Sequence, residues 1–188
     1  MIQLQNLSFS YGEQRVLEDF NLTVGAGECV CLFGPSGCGK TTVLRLILGL
    51  ESAQGGKIYV PDKISVVFQE DRLLPWLSVR RNVCLPLDRE AQNRAQELLK
   101  CVGLEAVADQ RITTLSGGMQ RRVALVRALA YQGDALVLDE PFNGLDADNK
   151  QILADIIRRE YIDKNKPVIL VSHSKEDAHL LNAKIIHM

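Results

Sequence analysis

Residues 34–41 read Gly34-Pro35-Ser36-Gly37-Cys38-Gly39-Lys40-Thr41, a G-x-x-x-x-G-K-[ST] spacing set between an apolar run and a segment of helical character. Glycines so spaced let backbone N–H groups curl around phosphate oxygens, and the helix N-terminus behind them adds partial positive charge. Lys40 is placed to bridge terminal phosphates, the Thr41 hydroxyl is a ligand type for Mg²⁺, and Thr42 joins the same nucleotide-facing set. A second group follows the apolar run 135–138: Asp139 and Glu140, directly before Pro141. A buried strand that ends in two acids needs a cation or a substrate beside it, because unpaired charge at the rim of a core is costly. Asp139 would complete a Mg²⁺ shell and Glu140 would orient or deprotonate an attacking water. The alternative is a solvated pair of loop acids.

Leu115-Ser116-Gly117-Gly118-Met119-Gln120 opens a segment rich in arginine and alanine. Its glycines expose N–H groups at a helix start and Ser116 adds a hydroxyl, which makes either a second anion site without a lysine or a plain N-cap.

These residues need strands and helices in alternation. Strands are expected at 2–8, 19–24 and 28–33, with a Gly25-Ala26-Gly27 turn before the last, then at 57–60 and 64–69. Residues 135–139 and 168–171 are continuous apolar runs, as in parallel strands covered on both faces. Helices are expected at 40–50, ending near Gly49, at 88–102 behind a capping Asp88, at 117–130 and at 146–161. The pattern is α/β: a P-loop core, 1–70 and 116–188, with a small N-terminal β region and a mainly helical insertion of about 71–115 within a single domain, 1–188.

Composition sets limits. The 188 residues suit one domain with a real core, and 24% charged residues with a net charge of −1 exclude disorder and a polybasic nucleic-acid surface. No apolar run reaches the roughly 18 residues that cross a bilayer, and no leader pattern opens the chain, so a cytoplasmic location is expected. The five cysteines, Cys29, Cys31, Cys38, Cys84 and Cys101, are odd in number and scattered, which suits reduced thiols. Cys29 and Cys31 fall in a strand pattern and are read as packing.

In this combination and order, over nearly the whole chain, the motifs resemble the nucleotide-binding subunit of ABC transporters. The resemblance implies that Leu115-Ser116-Gly117-Gly118 is the signature sequence capping the γ-phosphate of ATP held by a partner subunit, hence an ATP-dependent homodimer. It makes Asp139 the Walker B acid and Glu140 the catalytic glutamate. Tyr11 looks like the aromatic that stacks on adenine, and Gln69 like the Q-loop glutamine that reaches Mg²⁺ and the water at the hinge to the insertion. His173 resembles the switch histidine on the γ-phosphate, and Asp146 the D-loop aspartate at the dimer interface. Asn143 and Gly144 depart from the usual small residues before that aspartate, Met119 stands where glutamine is common, and Ser174 replaces an acid that often follows the histidine.

The stretch Arg72-Leu73-Leu74-Pro75-Trp76-Leu77, with Asn82-Val83 and Leu85-Pro86-Leu87, is similar to the nitrate, sulfonate and taurine importer branch. A membrane-peripheral ATPase on the inner face of the cell membrane follows, using ATP and Mg²⁺ and gripping a separate permease subunit near Gln69 and the insertion. A solute-binding protein would act through that permease, and no nucleic-acid partner is implied. The chain ends soon after a strand near Ile185 and Ile186, so no C-terminal regulatory extension is expected. The rivals are a soluble ABC-type ATPase in DNA repair or translation, which usually carries a long coiled-coil insertion or two fused units, and a P-loop small-molecule kinase, which has no need of Ser116-Gly117-Gly118 and His173. Tyr11→Ala is predicted to raise the KM for ATP with less effect on kcat, since stacking is shared by ground and transition states; an unchanged KM would make Tyr11 a packing residue only.

Overall fold

Apolar alternation builds the first sheet, but it changes phase. In the computed structural model, which describes residues 1–88 and 91–188, β1 (Ile2–Tyr11) buries Ile2 and Leu4, then Leu7 and Phe9. The phase shift falls at Asn6, whose φ of 48° marks an irregularity in the register; its N–H donates to Asn21 Oδ1 at 3.0 Å. The strand therefore runs three residues beyond the expected 2–8. It turns through Gly12, at φ 57°, into antiparallel β2 (Gln14–Val24), with β4 (Gly55–Tyr59) on its other edge.

The second sheet is parallel. It comprises β3 (Cys29–Phe33), β5 (Ile64–Val67), β6 (Ala135–Asp139), β7 (Val168–Val171) and β8 (Lys184–His187), in the order β5-β6-β7-β3-β8. Its three central strands are buried almost throughout and divide their side chains between two cores with a period of two. Val30, Leu32, Ala135, Val137, Ile169 and Val171 face the core shared with the N-terminal sheet and α1 (Lys40–Ile47). Cys29, Cys31, Leu136, Leu138, Val168 and Leu170 face the other. Burial of each large aliphatic side chain contributes ~1.5–3 kcal/mol relative to exposure.

That second core extends into the insertion. Here α2 (Val79–Cys84) and α3 (Ala91–Cys101) pack on α4 (Gly117–Tyr131), with Val79, Val83, Ala95, Leu98 and Leu99 meeting Val123, Leu125 and Leu129. Asp88 accepts the N–H of Ala91 at 2.9 Å, as expected of a capping residue, although residues 89–90 of the expected helix lie outside the described residues. The helix after the phosphate loop stops at Ile47 rather than 50. Gly49, at φ 67°, closes it as the N–H of Leu50 reaches Arg45 O at 2.8 Å and that of Gly49 reaches Leu46 O at 3.1 Å. Asp146 caps α5 (Ala147–Ile157), its Oδ1 accepting the N–H of Asn149 at 2.9 Å, and the helix continues through a wider turn, Arg158–Ile162. Two short helices were not legible from periodicity: α2, and α6 (Lys175–Leu180), each of six residues.

All five cysteines are free thiols. Burial pushes the Cys29 thiol up to about 12 and that of Cys31 to about 11, which suits inert packing.

Below the second core Glu160, buried, meets three cations: Arg94 from α3, Arg159 Nε at 3.0 Å and Lys164 Nζ at 2.7 Å. Burial by itself would raise this carboxyl, but the bonds from Lys164, Arg94 and Arg159 outweigh it and hold the value at about 2. Its folded value lies below its ordinary 4.5, so the stabilisation is complete above about 4.5 and is lost as pH falls towards about 2. Glu160→Gln should lower Tm at neutral pH, and its deficit against the wild type should shrink once pH drops below about 4.5. A deficit independent of pH would assign the effect to packing instead.

Candidate active site

The phosphate loop joins β3 to α1, and its backbone can be built only with glycine at the tightest point. Gly39 has a φ of 102°, and a Cβ there would stand 3.1 Å from Val16 Cγ1, so the loop is pressed against β2. Gly39 is also the N-cap of α1 and offers no side chain to its first N–H groups, leaving them directed out of the helix end. Lys40 is folded back over the loop. Its Nζ donates to Gly34 O at 2.7 Å and to Pro35 O at 2.8 Å, with Cys38 Sγ 3.7 Å away.

Opposite the loop stand the acids. Asp139 closes β6 and Glu140 follows it, both buried. Thr41 Oγ1 lies 3.5 Å from Asp139 Oδ2, which brings the end of β6 against the first turn of α1. Burial pushes the Asp139 carboxyl above its ordinary value and the Glu140 charge adds to this, against the opposing hydrogen bond from Thr41 and the charges of Arg121 and Lys40. Glu140 adopts a φ of 49°, a left-handed conformation that costs a glutamate about 1–3 kcal/mol. Its N–H donates to Val171 O at 2.9 Å. Its Oε1 lies 3.0 Å from His173 Nδ1, while Oε2 is buried without a hydrogen-bond partner among the described residues.

His173 follows β7, with its imidazole 68% exposed. The turn beneath it is fastened by Ser172, whose Oγ donates to Asp177 Oδ2 at 2.8 Å and accepts the N–H of Ser174 at 3.0 Å. Lys150 of α5 grips the other Asp177 oxygen at 3.0 Å.

One cavity of about 490 Å³ gathers most of the residues singled out from the sequence: Tyr11, Ser36, Gly37, Gly39, Lys40, Thr41, Thr42, Gln69, Asp139 and Glu140. Gly34, Pro35 and Cys38 join it through the Lys40 ammonium, and His173 through Glu140. Tyr11 is 42% exposed, sits edge-on to Phe9 at 4.8 Å, and has its hydroxyl 3.4 Å from both Arg45 and Glu51. Gln69 lies two residues beyond the end of β5 rather than within a strand. Ser116, Gly117 and Gly118 do not line this cavity. Ser116 Oγ accepts the N–H of Met119 at 3.3 Å as the N-cap of α4, and a Cβ on Gly118 would stand 3.2 Å from Gly144 O. Ser116 and Gly117 are exposed at the helix start.

Sequence reasoning missed Arg121 and Arg127, which reach from α4 to the backbone at 68–72. A signal was present: Arg121 stands four residues before Leu125 and eight before Leu129, on the apolar stripe of the helix, where a guanidinium must find buried acceptors.

Comparisons with known proteins identify the family. Residues 17–143 match the family described as ABC transporter. The chain is 41% identical over 189 residues to an aliphatic sulfonates import ATP-binding protein of Paracoccus denitrificans, across 98% of this chain and 78% of that one. It is 38% identical over 200 residues to the taurine import ATP-binding protein of Escherichia coli, across 99% and 78%. Among solved structures, a dimeric bacterial ABC transporter cassette superposes with a TM-score of 0.87 at 31% identity, covering 100% of this chain and 94% of that one. A dimeric post-hydrolysis state of an ATP-binding cassette, bound to ADP and phosphate, gives 0.88 at 30% identity, with the same coverage. The chain belongs to the ABC transporter family, as a subunit that hydrolyses ATP.

Proposed function

We propose that this chain is the motor of an importer for organosulfonates, hydrolysing MgATP on the inner face of the cell membrane to drive a separate permease subunit. The observation that carries the ATPase reading is the single cavity in which Lys40, Thr41, Asp139 and Glu140 converge, with one buried Glu140 oxygen left without a partner among the described residues; the sulfonate and taurine import relatives support the substrate class. Thr41 and Asp139 place two oxygens 3.5 Å apart, the hard donors that Mg²⁺ takes, and Gln69 on the same cavity offers a third. When bound, the ion would neutralise charge on the phosphate oxygens.

In this reading Lys40 exchanges the Gly34 and Pro35 carbonyls for phosphate oxygens, the N–H groups at the start of α1 hold the β-phosphate, and Tyr11 stacks on adenine. Glu140 accepts a proton from water as the water oxygen bonds to the γ-phosphorus. The bond from that phosphorus to the bridging oxygen breaks, leaving ADP and phosphate. His173, 3.0 Å from Glu140, is placed to contact the γ-phosphate beside it. Ser116, Gly117 and Gly118 lie outside the cavity, Ser116 and Gly117 exposed, which supports their action on ATP held by a second copy in an ATP-dependent homodimer.

Permease docking falls to the insertion. Leu85, 62% exposed, lines a groove with Phe68, Arg72, Pro86, Arg127 and Tyr131, and Trp76 of the same insertion is 68% exposed. An apolar cytoplasmic segment of the permease fits it, and a solute-binding protein would act through that permease. No helix among the described residues is long and apolar enough to cross a membrane.

The test is uptake of radiolabelled taurine and of an alkanesulfonate in cells lacking this chain. Wild-type chain should restore uptake and Lys40→Ala should not. Leu85→Glu combined with Trp76→Glu should lose uptake while the purified protein still binds ATP. Uptake that survives loss of the chain would overturn the assignment, and loss of ATP binding in the double variant would place the segment in the core.

A further inference from the structure

We infer that Arg121 is a positioning residue, locking the backbone of Gln69 and of Glu140 to the helix that begins at Ser116. This deepens the reading of the site given above and rests on it. The side chain is 5% exposed, and its five N–H groups are shared among six acceptors. Nε donates to Pro141 O at 3.0 Å, and Nη2 to Asp139 O at 3.0 Å and Glu140 O at 2.6 Å. Nη1 donates to Phe68 O at 2.7 Å and Asp71 Oδ1 at 2.8 Å, with Gln69 O at 3.4 Å.

The need for such a group follows from the sheet. The pairing of β5 with β6 stops at Val67 and Leu138, so the carbonyls of Phe68, Asp139 and Glu140 lie past its last rung. Buried carbonyls require donors, and here one planar fork supplies them to both chain segments at once. It does so where Glu140 holds its left-handed φ of 49°, a conformation that persists only if its surroundings over-determine it. Arg127, from the same helix, secures the next residues by donating to Asp71 O at 2.8 Å and Arg72 O at 2.9 Å. Any shift of α4, whose exposed N-terminus meets the partner's nucleotide, must therefore carry Gln69 and Glu140 with it. Engagement of one nucleotide thus sets the hydrolytic geometry at the other.

Arg121→Lys keeps the charge and removes the fork, and it should be measured in the full chain. Melting, ATP binding in EDTA, steady-state kcat and KM, and binding of ADP with orthovanadate are the readouts. The expected result is ATP affinity and KM near wild type, kcat per bound ATP lower by about tenfold to a hundredfold, and weakened ADP–vanadate binding, as for a misplaced catalytic group. A purely structural role would lower Tm and leave kcat per bound ATP and vanadate affinity unchanged, and that outcome overturns the inference. If Arg121→Lys does not fold, Asp71→Ala decides. Loss of the fork's one side-chain acceptor, itself at a quarter-exposed position, should lower kcat with KM unchanged, and wild-type kcat would refute the role. Lys40→Ala run alongside separates the two layers: full ATPase there rejects the site itself, whereas its loss with normal Arg121→Lys turnover rejects only the positioning.

Discussion

Two carboxylates at the buried end of an apolar strand form the constraint on which the rest of the molecule depends. β6 buries all five of its residues, and negative charge at its tip is poorly solvated. The surroundings answer on three sides. Thr41 and Lys40 stand in front, His173 beside, and the Arg121 guanidinium behind, bonded to the carbonyls of the same two residues. The phosphate loop and the acids are thus two halves of one charge arrangement, and the parallel sheet fixes their separation because β3 and β6 both pair with β7.

The division of the sheet's side chains between two cores explains how a small chain can support both nucleotide chemistry and partner contact. One face is closed by α1 and the N-terminal sheet, which also presses Val16 against Gly39 and brings Tyr11 to the rim of the cavity. The other is closed by α4 and the insertion, so the groove near Leu85 and the segment 68–72 share the support of one helix. Phe68 and Arg72 line that groove while their carbonyls are held by Arg121 and Arg127, so groove and active site are neighbours through the same backbone.

Local chemistry was the legible part of the sequence. The phosphate loop is contiguous, and its glycines and lysine carry their reason within eight residues. The strand-end acids announced themselves by the apolar run before them. The α/β alternation with a helical insertion was readable from period alone. Asn6 was not, because a bulge reverses the phase of alternation and makes one ten-residue strand look like a shorter one. Nor were the partners of Arg121, the Glu160 cluster or the Lys150–Asp177–Ser172 chain of bonds, since each joins residues far apart in sequence and no single segment contains its logic. The role of Ser116 stayed open between cap and anion site. It is the N-cap of α4 in this chain, and its hydroxyl stands at an exposed position.

Glu140 is proposed to complete hydrolysis of an ATP held between two copies, and size-exclusion chromatography with light scattering on Glu140→Gln is the sharpest test. The substitution keeps the shape of the side chain and removes its base. With ATP, the variant should accumulate as a dimer; with ADP or no nucleotide it should remain monomeric, and Ser116→Arg added to it should abolish the dimer. A strictly monomeric Glu140→Gln protein at saturating ATP would contradict an ATP shared between two copies.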